Sequence, residues 1–229
     1  METPEIYKRI EEANKQLFAV MNLLKYDVDH CLKQINSKNT KLSFTETQFL
    51  YRSFIRALFS WIEGVIYLMK NFTVEFDGAM NEKIPSDEMY ILKEKDLKVD
   101  KDGKVFSDQR FIKLEYNILF SIKWYSYVYN IDYSIDKGVK EWEIFKKSIS
   151  IRNRITHPKS IEDIIISDND IKNIIKVKEW FLNMLIFLEN ETDKKSEIFI
   201  LEQANTIKEI LDEANLPLPQ LIRDILDKG

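Results

Sequence analysis

The sequence KGVKEWEIFKKSISIRNRITHP, at residues 137–158, sets the fold class that we predict for this chain. Projected onto a helix of 3.6 residues per turn, its apolar side chains form two separate lines. The first line contains Val139, Trp142, Phe145 and Ile149. The second lies on the opposite side and contains Ile144, Ile151 and Ile155. A helix that is apolar on two sides lies either at the centre of a helical bundle or between two chains.

Long helices are predicted over most of the chain. The helix in the quoted stretch is expected to end at Pro158, because proline disfavours helical geometry in the residue before it. Apolar residues at helical spacing predict further helices at about 4–36, 43–72, 108–130, 167–188, 192–214 and 221–226. Their predicted N-caps are Ser43 or Thr45, Ser167 or Asp168, and Thr192. The fold class is therefore all-α, a helical bundle of about five or six long helices.

Residues 77–107 depart from this helical pattern. Residues 85–88 can start a short helix, and residues 97–106 have the alternation of a small hairpin that turns at Asp102 and Gly103. We interpret 77–107 as an insertion at one end of a single helical domain that covers residues 1–229.

The composition narrows the class of protein. Five glycines and five prolines in 229 residues, with 45% hydrophobic and 31% charged residues, favour long amphipathic helices over a strand-and-turn architecture. The single cysteine, Cys31, excludes an internal disulfide, and two histidines with one cysteine argue against a Cys/His zinc site. Neither a signal-peptide pattern nor an apolar segment long enough to span a bilayer is present. We expect a soluble, cytoplasmic protein that needs no metal or cofactor.

Charge is unevenly distributed along the chain. The net charge is −4, which argues against a general nucleic-acid coat protein. Residues 137–159 nevertheless contain seven lysines and arginines against two glutamates, a local net charge of +5. Phosphate binding requires such a basic segment, although a solvated helix face accounts for the charge equally well.

Polar residues replace apolar ones at the end of the predicted helix. The line of Val139 to Ile149 continues with Arg152, Asn153, Thr156 and His157. Buried polar groups are costly unless they are paired, so these side chains either line a cleft or close the helix end. In the second case Arg152 and Arg154 would bind carbonyls of the last turn, and His157 would cap the helix. The adjacent Asn153, the terminal Pro158 and the local basic charge favour the cleft.

The residue types point to phosphate chemistry. Histidine exchanges a proton near neutral pH, and arginine holds phosphate oxygens with a permanently charged, planar group. The sequence Arg152-Asn153-x-x-x-His157-Pro158, at the end of a helix in an all-helical chain, resembles the motif of HEPN-domain ribonucleases. The match covers residues 152–158 and leaves the insertion at 77–107 unexplained.

The resemblance implies a bundle that dimerises with its two motifs facing each other, and metal-independent endoribonuclease activity. Such proteins are frequent among toxins and antiviral-defence systems, which implies an antitoxin or defence-system partner protein. A toxin subgroup that carries a tyrosine two residues after the histidine differs from this chain, where Lys159 occupies that position. This difference argues against a nucleotidyltransferase antitoxin.

The resemblance also implies roles for the motif residues. RNA carries its own nucleophile, the 2′-hydroxyl, beside the scissile phosphate. His157 is expected to act as general base or acid, and Arg152 to stabilise the transition state. Asn153 would orient the imidazole or bind the phosphate. The expected products are a 2′,3′-cyclic phosphate and a 5′-hydroxyl, and a two-fold site would supply the acid and the base from two chains.

Candidate RNA-binding residues surround the motif, namely Arg154, Lys159, Lys147, Arg56 and Glu63. Glu63 can place a carboxylate near the motif, but a solvated face with Arg56 and Glu63 as neighbours is the simpler interpretation. Two other classes of function remain open. One is a non-catalytic HEPN-like module that binds RNA, a nucleotide or a protein partner, and the other is a purely structural interaction protein.

Overall fold

The computed structural model describes residues 3–37, 42–79, 84–213 and 217–227. These residues form seven α-helices and one two-stranded antiparallel sheet, which confirms the all-α class with a small hairpin. In chain order the elements are α1 (Thr3–Ile35), α2 (Phe44–Ala79), α3 (Ser86–Leu92), β1 (Lys95–Val99), β2 (Val105–Gln109), α4 (Leu114–Val128), α5 (Lys140–Thr156), α6 (Asp168–Glu213) and α7 (Gln220–Leu226). A single 3-10 turn, Glu162–Ile164, lies between α5 and α6.

Helix α2 lies at the centre of the bundle and packs against α1, α4, α5 and α6. It contributes an almost continuous buried face that includes Phe54, Ile55, Leu58, Phe59, Ile62 and Ile66. Helix α1 approaches it closely at Gly64, where an added Cβ would lie 3.0 Å from Cδ1 of Leu24. Tight packing of this kind fixes the position of α1 relative to α2.

Helix α5 is buried on two sides, as the two apolar lines predict. Trp142 and Phe145 from the first line and Ile144 and Ile155 from the second belong to one hydrophobic core. The ring of Phe145 lies 5.3–5.4 Å, centroid to centroid, from those of Trp142 and Trp180. These contacts hold the body of α5 rigidly inside the bundle.

Two of the predicted N-caps form reciprocal hydrogen bonds. The Ser43 hydroxyl accepts from the backbone N–H of Glu46, whose carboxylate accepts from the Ser43 N–H at 2.8 Å. Ser167 and Asp170 repeat the arrangement at the start of α6. Both are capping boxes, which satisfy N–H groups that the first turn of a helix leaves unpaired.

Three predicted boundaries are wrong. Helix α2 continues to Ala79 instead of ending near residue 72, so the insertion begins later than residue 77. Asp108 and Gln109 pair with β1, so α4 begins at Leu114 rather than at Asp108. Helix α6 runs unbroken from Asp168 to Glu213, and the Thr192 hydroxyl donates to the carbonyl of Leu188 inside it instead of capping a new helix.

The inserted hairpin is anchored to the bundle by a buried lysine. Lys70 of α2 has no exposed surface, and its ammonium contacts the carboxylate of Glu94 and the Oδ1 of Asn117 at 3.1 Å. Glu94 immediately precedes β1, and Asn117 belongs to α4. The hairpin turn includes Gly103 at φ +77°, a conformation that glycine adopts without steric cost. Within the described residues, no helix combines the length and apolar character needed to cross a membrane.

Candidate active site at the end of helix α5

The first apolar line of α5 opens to solvent over its last turn. Trp142 and Phe145 are buried and Arg152 is half-buried, whereas Asn153, Thr156 and His157 are exposed. The motif therefore occupies the rim of the core, where polar side chains stay in contact with water. Arg152, Asn153 and His157 lie together at the C-terminal end of α5.

Arg152 is held by an acidic residue of the central helix. Its guanidinium Nη2 contacts the Glu63 carboxylate, and its Nη1 donates to Oδ1 of Asn153 at 3.2 Å. Burial raises the pKa of Glu63, and the charge and hydrogen bond of Arg152 offset part of that rise. Glu63 thus lies beside the motif, and the solvated pairing of Arg56 with Glu63 is wrong because each side chain binds α5 instead.

His157 ends the helix through its backbone and presents its ring to solvent. Its N–H donates to the carbonyl of Asn153 at 3.0 Å, and its φ of −126° and ψ of 62° leave the helical region. Within the part of the chain that the structure describes, the imidazole makes no hydrogen bond. Both ring nitrogens are therefore available to a ligand or to a second chain.

An arginine does bind the last turn of α5, but it comes from α2. Arg56 donates to the carbonyl of Ile155 at 3.1 Å. Arg154 instead donates to three carbonyls of the following segment, those of Asp163 at 2.7 Å, Ile165 at 2.9 Å and Glu162 at 3.2 Å. Arg154 therefore fixes the chain after His157, and the prediction that it binds carbonyls of the last turn of α5 is wrong.

The segment from His157 to α6 is bound by a row of polar residues on α2. The Gln48 amide donates to the carbonyl of Ile166 at 2.9 Å and accepts from its N–H at 2.8 Å. Arg52 donates to the carbonyl of Ile164 at 3.1 Å. Gln48, Arg52 and Arg56 recur every four residues, so they lie on one face of α2. That spacing is the sequence signal that could have indicated a bound segment.

A turn directly after Pro158 is closed by Asp163. Its carboxylate accepts from the N–H of Lys159 at 2.8 Å and from that of Ser160 at 3.1 Å. The bond from the Lys159 N–H is the main reason why the pKa of Asp163 lies below its usual value. The turn leaves the Lys159 side chain exposed beside the motif.

The predicted RNA-binding residues divide into two groups. Lys147 and Lys159 are exposed, and among the described residues neither side chain makes a hydrogen bond or a salt bridge, so both can contact a polyanion. Arg56, Arg154 and Glu63 are engaged within the chain. Fewer cationic side chains near His157 are therefore free to contact RNA directly than the list of candidates suggests.

The motif lies outside the three clefts of 360–530 Å³ that are lined by Trp180 and Phe187, by Phe72 and Leu185, and by Met89 and Lys95. Arg152, Asn153 and His157 line none of these three clefts. Since catalytic sites are usually concave and exclude water, a site at this helix end requires a second surface to cover it.

Within the described ranges, no group of three or more histidine, cysteine, aspartate or glutamate side chains is placed to hold a metal ion. No protein-family model, curated protein or solved structure matches this chain, so the resemblance to HEPN ribonucleases rests on the motif at residues 152–158.

Proposed function

We propose that the chain is a metal-independent endoribonuclease of the toxin or antiviral-defence type, which acts as a homodimer with a composite active site. One observation supports this most strongly. The buried seam of α5 ends in a half-buried arginine, which Glu63 holds, and in an exposed asparagine and histidine. Packing of the core does not by itself require these three polar residues at the solvent-facing end of α5.

In this proposal Arg152 stabilises the transition state of RNA cleavage. As the 2′-hydroxyl attacks the phosphorus, negative charge grows on the non-bridging oxygens, and a positioned guanidinium stabilises it. Contacts with Glu63 and Asn153 fix the guanidinium before RNA binds, which lowers the cost of ordering it. Glu63 is accordingly a positioning residue.

His157 acts as the general base and the general acid of the proposed reaction. One imidazole takes the proton of the 2′-hydroxyl while the new bond to phosphorus forms, and a protonated imidazole gives a proton to the leaving 5′-oxygen. The products are a 2′,3′-cyclic phosphate and a 5′-hydroxyl. Two chains that face each other supply both imidazoles and cover the site, which the single chain leaves open.

The second candidate is a non-catalytic module that binds RNA through the same helix end. The two are separated by binding and cleavage assays on wild-type chain and Arg152→Ala. The proposal predicts that wild-type chain cleaves RNA, and that Arg152→Ala loses cleavage by about 100-fold or more because charge stabilisation is lost. RNA binding that depends on Arg152, with no cleavage of any RNA tested, would favour the module.

Glu63 provides a test of positioning. Glu63→Ala removes the contact with Arg152 and is expected to reduce kcat/KM about 10- to 100-fold, because a misplaced catalytic group loses alignment. Glu63→Gln keeps an oxygen that accepts from Arg152 and should retain most of the activity. Initial rates of cleavage over a range of pH provide the comparison. Equal losses in the two variants would contradict a positioning role and would implicate the carboxyl group itself in proton transfer.

A further inference from the structure

The hairpin of β1 and β2 stands out from the bundle with both faces accessible. On one face Leu97, Val99 and Val105 are 50%, 66% and 67% exposed. An isolated two-stranded hairpin is marginally stable in water, and exposed apolar strands usually meet further structure.

The register shows which backbone groups of β1 are free. Arg110 donates to the carbonyl of Glu94 and Asp100 donates to that of Lys104, so the hydrogen-bonded pairs of the ladder are at even-numbered residues. Bonded and non-bonded pairs alternate in an antiparallel ladder. The N–H and C=O groups of Lys95, Leu97 and Val99 therefore point away from β2, and among the described residues they have no partner.

We propose that this free edge of β1 pairs with β1 of a second copy of the chain, antiparallel and centred on Leu97. The two copies then exchange hydrogen bonds at Leu97 and at the pairs of Lys95 with Val99. The product is a continuous four-stranded sheet in the order β2, β1, β1, β2. This contact involves the hairpin alone and does not depend on RNA cleavage.

Charge complementarity selects this arrangement. Centring on Leu97 places Asp96 of each chain directly opposite Lys98 of the other, at a non-hydrogen-bonded pair where side chains approach most closely. Within each hairpin Lys98 already contacts Asp108 at 2.5 Å, and Arg110 lies 3.6 Å from Asp96. Self-pairing joins these contacts into one ladder of alternating charge across four strands.

The opposite face and the other edge support the same choice. Leu97 meets Leu97 of the second copy, with Val99 and Val105 beside it, so the exposed apolar residues of two hairpins form one patch. Pairing through β2, centred on Ser107, would place Phe106 opposite Asp108 and offers no charge match. Charged side chains, a proline or a bulge usually protect an edge strand from association. β1 contains no proline, and in the register centred on Leu97 its Asp96 and Lys98 attract the second copy instead of repelling it.

Two proline variants test the contact directly. Leu97→Pro removes an N–H that points outward and keeps every bond of the β1–β2 ladder, and Ser107→Pro does the same at the opposite edge. We expect sedimentation velocity over a range of protein concentrations to show self-association of the wild type through this edge. Leu97→Pro should lose that component and Ser107→Pro should retain it. Equal association of the wild type and both variants, or no association of the wild type beyond what Leu97→Pro shows, would overturn the proposal.

A charge exchange supplies an independent test. Asp96→Lys places two lysines opposite each other, Lys98→Asp places two aspartates opposite each other, and each should weaken self-association about tenfold. A mixture of the two variants restores both opposite-charge pairs. Association through β1 should therefore be stronger in the mixture than in either variant alone, whatever association through the motif contributes to all three samples. Failure of the mixture to associate better than either variant alone would also overturn the proposal.

Discussion

His157→Ala is expected to reduce the rate of RNA cleavage by about 10²- to 10⁴-fold, the usual contribution of a positioned general acid or base. The reason is the proposed proton transfer, since the ring is exposed and its removal costs the core no contact. The measurement is single-turnover cleavage of an end-labelled RNA by wild-type and variant chains that were purified identically. Circular dichroism should show the same helical content in both.

The chain offers a matched control for this substitution. His30 lies on α1, is exposed, and stacks on Tyr26 with 5.9 Å between ring centroids. His30→Ala should cleave RNA at the wild-type rate. Undiminished cleavage by His157→Ala would contradict the proposed mechanism, as would an equal loss in both histidine variants.

Glu94→Ala is expected to lower the free energy of unfolding by about 2–4 kcal/mol, because it leaves the ammonium of a buried lysine without its counter-charge. Lys70 is fully buried, and the Glu94 side chain is 26% exposed. Because water reaches Glu94, we expect a smaller loss of stability than for a completely buried ion pair. Urea denaturation followed by circular dichroism gives the value.

Two further variants isolate the cause of that loss. Lys70→Met together with Glu94→Ala removes both charges and should recover most of the stability, since an apolar side chain of similar length fills the same space. Disruption of the exposed pair of Lys98 and Asp108 on the same hairpin should leave the urea midpoint unchanged. A Glu94→Ala variant as stable as the wild type would show that the ion pair does not anchor the insertion.

Local sequence signals predicted the elements whose formation depends on neighbouring residues. The two apolar lines placed α5 inside the core, Ser43 marked the start of α2, and Asp102 with Gly103 marked the hairpin turn. Each rests on side-chain periodicity or on a conformational preference within a few residues.

Such local signals do not predict contacts between distant parts of the chain. Gln48 and Ile166 are 118 residues apart, and Glu63 and Arg152 are 89 apart, so no local pattern shows that they meet. The sequence predicts the start of α4 wrongly because residues 108 and 109 fit a helical period and a strand register equally well. Thr192 fits the pattern of an N-cap because a threonine hydroxyl satisfies either an N-terminal N–H or, as here, a carbonyl of the preceding turn.

The most direct test uses wild-type chain, a chelator, and two RNAs that differ at one position. The second RNA carries a 2′-deoxynucleotide on the 5′ side of the bond that is cut in the first. The proposed mechanism predicts that the first RNA is cleaved to a 2′,3′-cyclic phosphate and a 5′-hydroxyl, and that the second is not cut at that bond. Cleavage of both RNAs at the same bond would contradict it, and so would loss of all cleavage when the chelator is added.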